Sequence, residues 1–254
     1  MRFEYKYIVS VKYLESLRRS IMPFVEADPF TDADSNNQYT VRSIYFDTPN
    51  YDYYFEKIDG IKNRKKIRIR GYDECQDDKT VFLEIKRKYD IPIIKFRTAV
   101  QFDDAKDIFR KGAINGHILH EIPNKFGYEN STRFFFQVYS RNLRPVVLVV
   151  YDREAYFSKF DQTVRITLDK DLRGEAYPAF DGLFDDDRLR PALPGRFILE
   201  VKFNNHFPGW LNPIISKYGL QKRSASKYVI TMDACRVINR LGKSALFTRS
   251  KWYN

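Results

Sequence analysis

Charged residues recur at alternate positions in six stretches of this chain: Glu4 and Lys6; Arg68 and Arg70; Glu84, Lys86 and Lys88; Lys95 and Arg97; Arg165 and Asp169; Glu200 and Lys202. Residues two apart on a β-strand share a face, so this spacing gives each stretch one charged face. The opposite faces are apolar, as in Phe3, Tyr5 and Tyr7, in Ile67 and Ile69, in Val81, Leu83 and Ile85, in Ile94 and Phe96, in Val164, Ile166 and Leu168, and in Leu199, Val201 and Phe203. Arg153 ends a further strand-like run whose same-face neighbours are Val147, Val149 and Tyr151. An ordinary solvated sheet face is the plain account of any one stretch. Taken together the stretches depart from it, because their charges are mostly of one sign: only Glu4, Glu84, Asp169 and Glu200 stand among the cations. Like charges on neighbouring strands destabilise a sheet unless an anion lies between them. The chemistry this points to is the enclosure of a polyanion.

The elements that must hold these faces can be read from period-two alternation and β-branched runs. Strands are expected at 2–10, 40–47, 64–72, 80–88, 92–100, 145–157, 162–170 and 196–203. Helices are expected at 11–22, 50–58, 102–111, 131–143, 212–218 and 225–241. The stretch 171–195, with Asp185-Asp186-Asp187 and its prolines, reads as a mobile loop. Short connections favour antiparallel pairing, and eight strands suit a closed barrel that leaves no edge exposed. The predicted fold is therefore α+β: an eight-stranded antiparallel closed β-barrel, basic inside and apolar outside, with helices packed outside it and at one end. Residues 1–254 read as one domain.

Composition sets the outer bounds. With 254 residues, a net charge of +11 and 16% aromatic residues, the chain has the means to fold and an excess of cations to place. Met1 runs straight into a charged alternating segment, unlike a signal peptide, and the longest apolar run, 146–151, is too short to span a bilayer. A cytoplasmic protein is expected. Cys75 and Cys235 are far apart and form no CxxC, so neither a zinc site nor a disulfide framework is implied. Walker A, GxGxxG, GxSxG and HExxH sequences are absent. His117 and His120 are spaced HxxH without further ligands nearby in sequence, and Asp47, in Tyr45-Phe46-Asp47-Thr48-Pro49, reads as a turn former. Ser226 stands where an N-cap would open the last helix. Its backbone N–H groups, with Lys222, Arg223 and Lys227, could either bind an anion or simply cap the helix.

In order along the chain, Phe3-Glu4-Tyr5-Lys6, Ser43-Ile44-Tyr45-Phe46-Asp47-Thr48-Pro49, Lys66-Ile67-Arg68-Ile69-Arg70 and Leu83-Glu84-Ile85-Lys86-Arg87-Lys88 resemble the triphosphate tunnel metalloenzymes. So do Tyr151-Asp152-Arg153, Val164-Arg165-Ile166-Thr167-Leu168-Asp169, Leu199-Glu200-Val201-Lys202 and Ser226-Lys227-Tyr228. Within that superfamily the pattern is most similar to the VTC-type polyphosphate polymerase domain. The resemblance implies a tunnel in which Lys6, Arg68, Arg70, Lys86, Lys95, Arg153, Arg165, Lys202 and Lys227 contact phosphates, with Lys88, Arg97 and Ser226 added to the binding surface. It makes Lys86, Arg153, Arg165 and Lys202 the catalytic cations, and Glu200 the principal ligand of Mn²⁺ or Mg²⁺, helped by Glu4 or Glu84. The substrates implied are ATP and inorganic polyphosphate, with γ-phosphoryl transfer to the growing chain and release of ADP. No specific nucleic acid is expected.

The superfamily's ExExK signature is incomplete here, because Arg2 occupies its first position. Lysines stand at 86 and 202 where a hydrolase would place further carboxylates to orient water. That favours transfer between phosphates over hydrolysis. A tunnel-fold triphosphatase, and a non-catalytic binder of polyphosphate or nucleic acid, are the alternatives.

Overall fold

The computed structural model describes residues 2–29, 38–73, 79–89, 93–111 and 127–238. In chain order the elements are β1 (Arg2–Ser10), α1 (Leu14–Ile21), β2 (Val25–Ala27), β3 (Gln38–Asp47), α2 (Asp52–Ile58), β4 (Arg64–Tyr72), β5 (Thr80–Lys88), β6 (Ile93–Gln101), α3 (Phe102–Lys111) and α4 (Gly127–Ser140). They continue with β7 (Arg144–Ser158), β8 (Arg165–Ala176), β9 (Arg190–Pro191), β10 (Arg196–Asn204), α5 (Leu211–Lys217) and α6 (Lys227–Ala234). Cys75, His117 and His120 lie outside the described residues.

The main strands form one antiparallel path, β1-β10-β8-β7-β3-β4-β5-β6, with β2 added to β7 and β9 to β8. These eight long strands answer to the eight expected from alternation, except that β8 begins at Arg165 and runs past 170 to Ala176. The expected closure into a barrel is not made by backbone pairing: among the described residues no ladder joins β1 to β6. Both edges are engaged otherwise. The Arg223 N–H donates to the Lys6 carbonyl on β1 at 2.8 Å, and Asn130 Nδ2 donates to the Arg97 carbonyl on β6 at 3.1 Å. The sheet is nevertheless strongly curled. Lys86 on β5 brings its ammonium to 3.9 Å from Glu4 on β1, near opposite ends of the path.

Three apolar clusters explain the curl. Outward residues of β3 to β6, among them Ile44, Ile67, Ile69, Leu83 and Ile85, pack under Ile108 of α3 and Phe134, Phe135 and Val138 of α4. On the other flank, Val9, Ile166, Leu168, Leu199 and Val201 pack under Leu17 and Ile21 of α1 and Leu211 and Ile214 of α5. Each such side chain, fully buried, contributes about 1.5–3 kcal/mol. The apolar face is thus outside, beneath helices, and the charged face is inside. The third cluster lies inside: Tyr228, Val229, Ile230 and Met232 of α6 pack on Val41, Tyr45, Val147 and Val149 and plug one end. Gly174 makes that plug possible, because a Cβ there would stand 2.2 Å from Thr231 Cγ2 and 2.3 Å from the Leu148 carbonyl.

The stretch expected to be a mobile loop is instead a packed strap. After a register shift between Val150 and Asp152, β8 continues to Ala176 beside β7. Leu183 is then buried in the α3/α4 cluster, while Ala192 and Leu193 join the plug. Buried Arg42 pins the strap by donating to both carboxylate oxygens of Asp186, at 2.6 and 2.9 Å. Its prolines and aspartates masked these anchors in the sequence.

Candidate polyanion tunnel

The strand registers bring the inward charges into two knots. The first straddles β1, β10, β8 and β7, where Lys6 faces Glu200 and Glu4 faces Lys202, Glu200 faces Thr167, and Arg153 faces Asp169. Lys6 Nζ lies 3.0 Å from Glu200 and 3.4 Å from Glu4. Lys202 lies 3.6 Å from Glu200 and 3.9 Å from Glu4. Arg153 donates through Nε and Nη2 to both oxygens of Asp169, at 2.6 and 2.8 Å. It also reaches Glu200 at 3.6 Å. Lys227, the first residue of α6, donates to Glu200 at 2.7 Å and pairs with Asp169. The helix that packs into one end of the curled sheet therefore delivers one of the inward cations.

Burial opposes ionisation of Glu200, but Lys227, Lys6, Lys202 and Arg153 together hold its carboxyl well below the usual range. For Lys202 the balance runs the other way. Burial outweighs the attraction of Glu200, with Arg153 adding repulsion, and its ammonium is lowered to about 8. Lys86 is also lowered, by burial first, against the pull of Glu4.

The second knot is centred on Glu84 of β5, which is 1% exposed. Arg68 donates to Glu84 Oε2 through Nε at 2.7 Å and to the Tyr45 hydroxyl through Nη1 at 2.8 Å. Lys95 lies 2.9 Å from Oε1, Arg97 3.4 Å, and Arg70 4.0 Å from Oε2. Burial works against the ionised carboxyl, yet Arg68, Arg70 and Lys95 keep it well below its ordinary range. Arg97 also lies over the Phe82 ring, 3.5 Å from its centroid.

Two expected members stand apart. Arg165 faces inward opposite Lys202, but its guanidinium is turned to Asp28, at 2.6 Å, and to the Tyr39 hydroxyl, at 3.3 Å. Lys88, at the end of β5, has no ion-pair partner among the described residues. Ser226 caps α6, accepting from the Val229 N–H, and also accepts from Lys66 Nζ at 2.8 Å. Lys66, absent from the expected binding residues, lies two residues before Arg68 and shares its face. Burial first, then repulsion from Lys6, Lys86 and Arg68, lowers its ammonium well below the ordinary value. Asp47 holds a turn: its carboxylate accepts from the N–H groups of Thr48, Tyr53 and Tyr54 and from the Tyr228 hydroxyl.

Among the described residues no three carboxylate, thiolate or imidazole side chains gather into a metal cage. The donor set suits a metal that brings its own oxygen ligands, since Mg²⁺-like ions commonly take one or two carboxylates and complete their shell with substrate phosphates. Glu200 and Glu4, which converge on one ammonium, fit that pattern. Thr167, opposite Glu200, adds a buried hydroxyl with no hydrogen-bond partner among the described residues. Glu84 fits poorly, because Arg68 and Lys95 take one oxygen each.

The VTC domain family model matches residues 1–236. The chain belongs to the VTC domain family. A fission-yeast (Schizosaccharomyces pombe) relative, vacuolar transporter chaperone complex subunit 4, is 26% identical over 70% of this chain. This chain spans 29% of that relative's length. Among solved structures, a putative adenylyl cyclase from Hippeastrum, described as having a dominant triphosphatase activity, superposes with a TM-score of 0.50 at 14% identity. The match covers 91% of this chain and 94% of that one, and it shows the fold. This VTC domain therefore shares the architecture of that structure. No helix among its described residues is long and apolar enough to cross a membrane.

Proposed function

We propose that this VTC domain is a metal-dependent polyphosphate polymerase that transfers the γ-phosphoryl group of ATP to a growing inorganic polyphosphate chain and releases ADP. The observation that carries the reading is the inward face itself: a curled sheet lined by arginine and lysine, its few carboxylates each already surrounded by cations. A terminal phosphate oxygen of the chain attacks the γ-phosphorus, and the bond from that phosphorus to the β–γ bridging oxygen breaks. No side-chain nucleophile is needed.

Such transfers have loose transition states with charge spread over the equatorial oxygens, so positioning and cationic stabilisation supply most of the catalysis. Arg68, Arg70 and Arg153 offer planar forks for phosphate, while Lys6, Lys86, Lys95, Lys202 and Lys227 act as point charges. Their carboxylate partners keep the cations oriented. Glu200, with help from Glu4, would hold Mn²⁺ or Mg²⁺, whose charge would offset that of the phosphates.

The deciding experiment incubates the protein with ATP and Mn²⁺ and resolves the products on a gel stained for polyphosphate. A ladder of chains with stoichiometric ADP supports the polymerase. The Hippeastrum structure motivates a second reading, a triphosphatase, for which the same reaction with tripolyphosphate would release orthophosphate and give no ladder. Binding without turnover would leave a polyanion-binding module.

A further inference from the structure

The two carboxylates bridged by Lys227 are not equivalent. Asp169 is fully engaged, with both oxygens taken by the Arg153 fork at 2.6 and 2.8 Å and Lys227 on Oδ2 as well. Both members of the Arg153–Asp169 pair are buried, with side chains 8% and 0% exposed. Glu200 has looser company. Apart from Lys227 at 2.7 Å and Lys6 at 3.0 Å, its neighbours Arg153 and Lys202 stand at 3.6 Å. Arg153 is placed between the two, with its fork on Asp169 and one nitrogen turned towards Glu200.

We propose that Asp169 is a positioning residue: it holds the Arg153 guanidinium off Glu200 and shares Lys227 with it, so that Glu200 remains the carboxylate able to exchange its cations for a metal. This rests on the phosphate-tunnel reading above and assigns a division of labour within it. Without the Asp169 charge, Arg153 has one remaining carboxylate within reach and closes on it, while Lys227, already 2.7 Å from Glu200, is no longer shared. The tunnel also becomes more positive by one unit, which favours a polyanion and opposes a divalent cation. The two ligands should therefore respond in opposite directions, as loss of a simple structural brace would not produce.

The test measures two affinities of the full chain carrying Asp169→Asn. Tripolyphosphate binding in EDTA is followed by calorimetry. Mn²⁺ binding with tripolyphosphate present is followed by water-proton relaxation enhancement, which reports metal on the slowly tumbling protein. The expected result is tripolyphosphate affinity unchanged or tighter, with Mn²⁺ affinity at least tenfold weaker. Adding Arg153→Gln to Asp169→Asn should recover part of the Mn²⁺ affinity by removing the cation that closes on Glu200. Parallel loss of both affinities would make Asp169 a brace and overturn the proposal. Failure of the double variant to recover Mn²⁺ binding would make Asp169 a direct ligand and overturn it too. If the unaltered protein bound no tripolyphosphate, the phosphate-tunnel reading would fall first, and this assignment with it.

Discussion

Lys6 and Glu200 face one another across the β1–β10 ladder, the ammonium 3.0 Å from the carboxylate. The same ammonium lies 3.4 Å from Glu4, so one cation spans the two carboxylates proposed to hold the metal. Replacing Glu200 by Gln keeps the shape and removes the charge. ATP-dependent chain synthesis should fall by about a hundredfold or more, the scale seen when a preorganised electrostatic contact is removed. Metal-free tripolyphosphate should bind as well or better. Loss of polyanion binding in this variant would place Glu200 in the structural framework instead.

At the second knot Arg68 serves Glu84 and the Tyr45 hydroxyl at once. Lysine at this position keeps a charge but cannot make both contacts with a planar fork. Arg68→Lys should weaken tripolyphosphate binding by roughly tenfold and lower stability by about 1–3 kcal/mol, because the buried Glu84 and Tyr45 oxygens lose donors. Calorimetry and urea unfolding measure the two effects separately. An unchanged affinity would mean that phosphates do not reach this end of the tunnel.

The free tunnel should sense pH through Lys202, whose ammonium is lowered to about 8. Below that pH it is charged and attracts phosphate; above it the charge is lost. Metal-free tripolyphosphate affinity should therefore fall between pH 7 and pH 9. Because the polyanion favours the charged form, binding near pH 8 should take up protons, read as a dependence of the calorimetric heat on the buffer. Lys202→Met should flatten that part of the profile. A profile equally steep in the variant would assign the titration to another group.

The two-faced pattern was legible because period two survives in every inward strand: Arg68 and Arg70 alternate with Ile67 and Ile69, and Glu200 and Lys202 with Leu199, Val201 and Phe203. Lys66 obeys the same parity but stands in a run of three basic residues at 64–66 with no apolar break. The extension of β8 to Ala176 was hidden by the register shift between Val150 and Asp152, which alternation alone cannot foresee. Asp169 was visible as an inward anion. Its role was not, because that depends on a bidentate contact with Arg153 and on Lys227 arriving from a helix far along the chain. The open β1–β6 seam was likewise illegible: Arg223 and Asn130 engage those edges from segments whose placement only the tertiary fold decides.

Tyr228 ties the plug helix to the turn after β3, its hydroxyl donating to Asp47 at 2.5 Å. Asp47 keeps three backbone donors without it, so Tyr228→Phe leaves one buried acceptor partly unsatisfied. The expected cost is about 1–3 kcal/mol in urea unfolding, with turnover per folded molecule nearly unchanged. A large loss of turnover at normal stability would show instead that the stacked Tyr45–Tyr228 pair, with ring centroids 4.9 Å apart, positions Arg68 for its substrate.

Gly174 tests whether seating the plug is what orders the tunnel's floor. Alanine there places a methyl against Thr231 and the Leu148 carbonyl, both closer than any van der Waals contact allows. The Leu148 carbonyl lies within the paired β7 and cannot simply turn away, so β8 must shift there, and the Thr231 contact pushes α6 outward. The variant should lose roughly 1–3 kcal/mol of stability, the usual cost of overpacking. Because Lys227 opens that helix and pairs with both Asp169 and Glu200, tripolyphosphate binding should weaken even under conditions where the sheet remains folded. Pairing Gly174→Ala with Thr231→Ser removes the Thr231 methyl and relieves that part of the clash. Recovery of stability and polyanion affinity together would show that helix seating controls the lysine; recovery of stability alone would uncouple the plug from the site.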